Sequence, residues 1–201
     1  GGDYRMTTTT VSFTNFVNQI ASTNKKVSTD VVLDAIGTDK RVGNNYFKRG
    51  GPFSGPCFPR DNLALKYFCQ TKKIPSLIPK ATDQINKQTI NQLKIKIVEL
   101  KEKNIESIGF LGIGYKPNTA CNEDSLASKL IDEAKKRKMK VFYYDKYTED
   151  KLRGCYKLST ISEVINKSSI IFISYKDNEF KLVEKLSDKN KSTRSRSVFF
   201  L

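Results

Sequence analysis

The sequence predicts an α/β protein in two parts: a helical segment with a long connecting helix over residues 1–103, then a parallel α/β domain over 104–201. Three observations carry this. Apolar residues in the first part recur at helical spacing. The same spacing runs without a break from Lys80 to about Lys103, which is one long amphipathic helix and the natural connector between two halves. Beyond it, short β-branched and aromatic runs alternate with amphipathic stretches, and strands joined by crossover helices must lie parallel.

The elements follow in order. Val11, Phe13, Phe16, Val17 and Ile20 mark a helix over 11–23, and Thr29 to Ile36 forms a second, closed by Gly37; both are expected to pack these apolar residues inward. Asp61 is placed as the N-cap of a helix through Leu63, Leu65 and Phe68 that stops before breaks at Pro75 and Pro79. Ile85, Ile90, Leu93, Ile97 and Leu100 give the long helix its stripe. Strands are then expected at Ser107–Leu111, Lys140–Tyr144 and Ser169–Ser174, with helices over Asp124–Arg137 and Ser159–Asn166 between them.

One loop stands apart from this regular pattern. Gly50-Gly51-Pro52-Phe53-Ser54-Gly55-Pro56-Cys57-Phe58-Pro59-Arg60-Asp61 ends in a thiol followed by a carboxylate, with Arg49 and Arg60 nearby. Glycines let backbone amides approach a ligand, prolines fix the path, and adjacent cations favour a thiolate. Taken by itself the segment fits either a loop presenting a nucleophile or a surface loop with an incidental cysteine. Downstream, Gly112-Ile113-Gly114 follows the first strand and Asp145 the second, as in a dinucleotide-binding unit, but the third glycine position falls at Pro117 and leaves that fingerprint incomplete.

The cysteine loop resembles that of the UDP-glucose/GDP-mannose dehydrogenase family, Gly-Phe-Gly-Gly-x-Cys-Phe-Pro-Lys-Asp, with Pro52 and Ser54 replacing two glycines. Upstream, Asp39-Lys40-Arg41-Val42-Gly43-Asn44-Asn45-Tyr46 is similar to the family's Asp-x-Arg-Ile-Gly-Asn-x-Tyr, and downstream Ile108-Gly109-Phe110-Leu111-Gly112-Ile113-Gly114-Tyr115-Lys116-Pro117-Asn118-Thr119 is similar to the block that opens its nucleotide-sugar domain. The resemblance implies a Rossmann-like second domain that binds the UDP half of a UDP-sugar, with Lys116 near the phosphates. It implies that Cys57 is the nucleophile, that Asp61 orients or deprotonates water, that Tyr46, Phe53 and Gly55 line the sugar pocket, and that Arg41 reaches a neighbouring subunit's site in a homodimer. The implied reaction is a nucleotide-sugar 6-dehydrogenation with NAD as oxidant. A family member holds NAD on an N-terminal glycine-fingerprint domain, and nothing resembling that domain lies upstream of the helical segment. The expectation is therefore a C-terminal portion that is inactive alone, with NAD held mainly elsewhere.

Two departures bear on this. Aligning Val11-Ser12-Phe13-Thr14-Asn15 with the family's Ile-Ser-Phe-x-Asn puts the family's catalytic lysine before residue 1 and its partner asparagine near Tyr4; the first lysine here is Lys25. Glu123 stands where many members carry an arginine near the cofactor. A second reading stays open: a non-catalytic nucleotide-sugar-binding or dimerisation module.

Composition sets the remaining limits. The formal charge of +15 suits anionic ligands, but its clusters, Lys135 to Lys140 and Lys189 to Arg196, interleave no stacking aromatics, so they are read as solvated charge and not as a nucleic-acid interface. The chain has no histidine, and Cys57, Cys69, Cys121 and Cys155 are far apart, which speaks against a zinc or iron-sulfur site and for reduced thiols in a cytoplasm-like compartment. No apolar run is long enough to span a bilayer, and a membrane partner is not expected.

Overall fold

The computed structural model describes residues 2–24, 26–43, 45–47, 51–149, 151–181, 183 and 197–201. The chain forms two compact units, Gly1–Gln92 and Leu93–Leu201. The first contains α1 (Gly2–Ser22), α2 (Thr29–Gly37), α3 (Phe58–Thr71) and most of α4 (Leu77–Glu102), which runs on into the second. The second holds β1 (Ser107–Leu111), α5 (Leu126–Lys136), β2 (Lys140–Tyr144), β3 (Tyr156–Lys157), α6 (Ile161–Lys167), β4 (Ile170–Ile173) and β5 (Ser197–Phe200). Asn44, Arg49 and the basic tail from Lys189 to Arg196, all singled out in the sequence, lie outside the described residues.

The first unit corrects the expected orientation of α1, while α2 buries Leu33 as expected. Phe13, Phe16 and Ile20 on α1 are about half exposed, while Thr7, Thr8, Ser12, Thr14 and Asn15 are buried. The covered face of α1 is thus its polar face. Two of them have partners far along the chain: the Ser12 hydroxyl donates to the Thr82 carbonyl across 3.2 Å, and Thr14 Oγ1 donates to the Tyr46 carbonyl across 3.3 Å, whereas Asn15 Nδ2 has no partner among the described residues. On α3, Leu63 and Phe68 are exposed and Asn62 is buried. Periodicity located α1, expected over 11–23 and found over Gly2–Ser22, but assigned its buried face to the apolar side.

Two boundaries also differ. α3 begins at Phe58, so Cys57 occupies the N-cap position and Asp61 sits in the first turn, its amide donating to the Cys57 carbonyl at 2.9 Å. Pro59 near the start explains the earlier onset, since a proline there forgoes only an N–H that has no helical partner. The same argument accounts for Pro79, which lies inside the first turn of α4 instead of breaking it. The α4 stripe buries Ile90, Ile97 and Leu100.

The second unit carries a five-stranded, all-parallel sheet in the order β3-β2-β1-β4-β5. Ile108, Phe110, Leu111, Val141, Tyr143, Ile171, Phe172 and Ile173 are fully or almost fully buried, so β1 and β4 are apolar on both faces, as a sheet covered by helices requires. Register aligns Phe110, Phe172 and Phe199 in one row across three strands, with ring centroids 5.3 and 5.4 Å apart. Each fully buried side chain of this size contributes about 2 kcal/mol, so this sheet is the main store of stability in the unit. α5 starts at Ser125, whose hydroxyl accepts from the Ser128 amide, and α6 starts at Thr160 in a reciprocal capping box with Glu163. Chain order runs outward from β1 to β2 and β3, then returns to β4 on the other side, which places a topological switch at the C-terminal ends of β1 and β4.

Candidate functional site

Six of the seven residues singled out as site residues fall in the first unit. The segment from Gly51 to Cys57 has no regular structure, and its first part is covered: Pro52, Phe53 and Gly55 are buried, and Gly55 takes a φ of +83°, a left-handed backbone that a side chain would resist. The buried Asn86 on α4 donates its Nδ2 to the Phe53 carbonyl at 3.0 Å. The chain then emerges, so that Cys57 is exposed while Cys69, on α3, is partly buried. Asp61 follows one turn later and is half-buried, its carboxylate 3.9 Å from the Arg60 guanidinium. Cys57 and Asp61 therefore share one helix start, with the thiol on the open side.

Tyr46 is exposed, with a φ of +67° held by the Thr14 bond. Arg41 is exposed and folded onto Asp39: its guanidinium makes a 2.6 Å ion pair and its own amide a 2.9 Å bond with the same carboxylate. Hydrogen bonds from Arg41 hold the Asp39 carboxyl below its usual range and raise the Arg41 guanidinium in return.

In the second unit Lys116 projects from the loop after β1, exposed, with its ammonium 5.3 Å from the Tyr115 ring centre. Beside that loop lies a cleft of about 640 Å³ bordered by Pro117, Asn118, Lys146, Tyr147, Lys176 and Lys181, together with Asp177 and Glu179. Its walls come from the segments that follow β1, β2 and β4, which is where an open parallel sheet receives ligands. Lys146 is held 2.8 Å from Glu179 and 3.4 Å from Asp177. Its hydrogen bond to Glu179 raises its pKa well above the lysine range, so it stays charged.

Asp145, the acid of the incomplete dinucleotide fingerprint, has a different role. Only 2% exposed, it accepts backbone amides of Ile113 (2.8 Å), Gly114 (3.4 Å), Tyr147 (2.8 Å) and Thr148 (3.0 Å). It clasps the loop after β1 to the loop after β2, and no oxygen is left to face a ribose. Gly112 is equally committed: its φ is +79°, and a Cβ there would lie 2.5 Å from Tyr175 Cε1. The described residues of this unit therefore do not fit a dinucleotide, since its two diagnostic features are consumed by internal packing. Sequence reading missed the Asp145 clasp and the Asn86 bond, neither of which has a local signal. The cleft was foreshadowed only by the turn residues that follow each strand. Among the described residues no cluster of three or more metal-ligating side chains occurs, and no helix is long and apolar enough to cross a membrane.

Comparison with known proteins places the fold in a family. Residues 5–88 match the model of the central domain of the UDP-glucose/GDP-mannose dehydrogenase family, and residues 109–199 match that family's UDP binding domain. UDP-glucose 6-dehydrogenase of Rickettsia bellii is 29% identical over 182 residues, 84% of this chain and 41% of the relative. The enzyme of the same name from Rhizobium meliloti is 31% identical over 65% of this chain and 31% of its own length. Among solved structures, a UDP-glucose dehydrogenase from Pyrobaculum islandicum superposes with a TM-score of 0.81 at 23% identity, covering 99% of this chain and 45% of that one. A GDP-mannose dehydrogenase from Pseudomonas aeruginosa superposes with a TM-score of 0.65 at 19% identity, covering 94% of this chain and 46% of that one. The chain thus spans about two fifths of the first curated relative it matches. With both family domains matched in order and the fold shared along nearly its whole length, the chain belongs to the UDP-glucose/GDP-mannose dehydrogenase family.

Proposed function

We propose that this chain is the UDP-sugar-binding and cysteine-bearing part of a nucleotide-sugar 6-dehydrogenase, acting on UDP-glucose. The observation that supports it most is the placement of Cys57: a thiol held exposed at the start of α3 by a loop whose preceding residues are buried, with a carboxylate one turn on. Oxidising a primary alcohol to a carboxylate passes through an aldehyde that must not escape. A thiolate at Cys57 adds to that aldehyde and retains it as a thiohemiacetal. After oxidation to the thioester, water oriented or deprotonated by Asp61 releases the carboxylate and returns the thiol. The lysines around the cleft in the second unit, with Lys116, suit the diphosphate of the UDP half. The hydride acceptor in such a reaction is NAD. The described residues do not fit it, and the chain alone is accordingly inactive as a dehydrogenase.

The exposed apolar residues of the first unit support a homodimer in which these helices are covered. Phe13, Phe16 and Ile20 on α1 and Leu63, Tyr67 and Phe68 on α3 expose roughly half or more of their surface. A non-catalytic binding or dimerisation module is the second reading, favoured by the engagement of Asp145 and Gly112 in internal packing. Alkylation separates the two. If Cys57 serves the sugar, UDP-glucose slows its reaction with iodoacetamide at least tenfold while Cys69 is unaffected; equal rates at Cys57 with and without the sugar nucleotide remove the catalytic reading.

A further inference from the structure

The loop that carries Cys57 is tied to α4 by a side chain. Asn86 is 5% exposed and donates Nδ2 to the carbonyl of Phe53, itself 5% exposed and four residues before the cysteine. The other end of the same carboxamide, Oδ1, is buried and has no hydrogen-bond partner among the described residues. A buried acceptor left unmade costs more than a neutral hydrogen bond returns, so this amide is a poor choice if its role is stability alone. Its donor end, by contrast, has a defined task.

α4 is a firm base for that task. The Asn62 side chain on α3 donates to the Pro79 carbonyl at 2.9 Å, and the Ser12 hydroxyl on α1 donates to the Thr82 carbonyl at 3.2 Å. Both carbonyls lie in the first two turns of α4, and Asn86 stands one turn beyond Thr82. The helix that fixes the loop is thereby referenced to the helix that starts at Cys57 and to α1. From this arrangement we infer that Asn86 is a positioning residue: its Nδ2 fixes the Phe53 carbonyl, and through it the path of residues 53–57 that brings Cys57 to the surface at the start of α3. The inference rests on the reading of Cys57 as the nucleophile. Asn86 acts only through the loop and has no contact with reacting atoms.

The test uses the full 201-residue chain and two variants. Asn86→Asp keeps the shape but removes the donor, and Asn86→Leu removes both polar atoms, so a shared response isolates the donor. Hydrogen exchange followed by mass spectrometry is expected to show the amides of Phe53, Ser54, Gly55 and Cys57 exchanging at least tenfold faster in both variants, with peptides from α1 and β1 unchanged. In the same variants UDP-glucose is expected to lose its shielding of Cys57 against iodoacetamide, Cys69 again serving as the internal control. Unaccelerated exchange at 53–57 in either folded variant overturns the inference, as does acceleration spread evenly over α1, α2 and α3, or shielding retained on a loosened loop. If the parent chain shows no shielding while both variants loosen only the loop, the functional reading fails and the Asn86 clamp stands.

Discussion

Asp145→Ala is the substitution that most directly probes how the second unit builds its cleft. The carboxylate is almost fully buried and takes four backbone amides, three of them within 3.0 Å. Alanine removes every acceptor at once, and the Ile113, Gly114 and Thr148 backbones it leaves are themselves buried. Counting only the three short bonds, at the low end of about 1.5 kcal/mol for a bond to a charged group, the loss is about 4.5 kcal/mol. At about 3 °C per kcal/mol for a chain of this size, the melting midpoint falls by about 13 °C. Asparagine keeps one of the two acceptor oxygens, so Asp145→Asn loses about half as much, about 2 kcal/mol. Thermal melting followed by far-ultraviolet circular dichroism measures both. An alanine variant that melts within about 2 °C of the parent refutes the argument that this carboxylate holds the two loops together.

Other outcomes follow from the same contacts. Light scattering is expected to give twice the mass of one chain, and Phe16→Glu, which puts a charge on the exposed apolar face of α1, is expected to give one; a parent chain that stays monomeric at high concentration contradicts the dimer. Burial, and next the neighbouring Asp145 carboxylate, raise the Tyr175 hydroxyl above the usual tyrosine pKa of about 10. The folded chain therefore keeps a proton that the unfolded chain gives up: this contribution is complete below about pH 10 and is lost as pH rises beyond it. Urea unfolding between about pH 9 and 11 is expected to show Tyr175→Phe losing stability less steeply than the parent; equal slopes refute it.

The sequence was most informative where structure is local. The strands at Ser107–Leu111 and Lys140–Tyr144 match their expected spans, and β4 lies within the expected Ser169–Ser174, because short apolar runs bounded by turn residues have few other solutions. β3 spans only two residues and β5 follows a long basic stretch, so neither carries a periodic signal of its own. The first helix was found for the right reason and turned the wrong way. Spacing shows that Phe13, Phe16 and Ile20 share a side, but whether that side meets the same unit depends on Ser12 and Thr14 finding partners far along the chain. The cysteine loop was legible as a motif, while what steadies it was not: Asn86 lies 33 residues from Phe53 and looks in sequence like one more polar helix position. Asp145 was noticed for a pattern it does not complete, and its actual partners are main-chain amides, which no side-chain motif records.

Calorimetric titration of the chain with UDP-glucose, UDP and GDP tests the central claim most directly. Binding of UDP-glucose and UDP is predicted, with affinity falling as salt rises, because lysines at the cleft meet a diphosphate in partly exposed surroundings. No heat and no thermal shift with any of the three nucleotides would contradict the account.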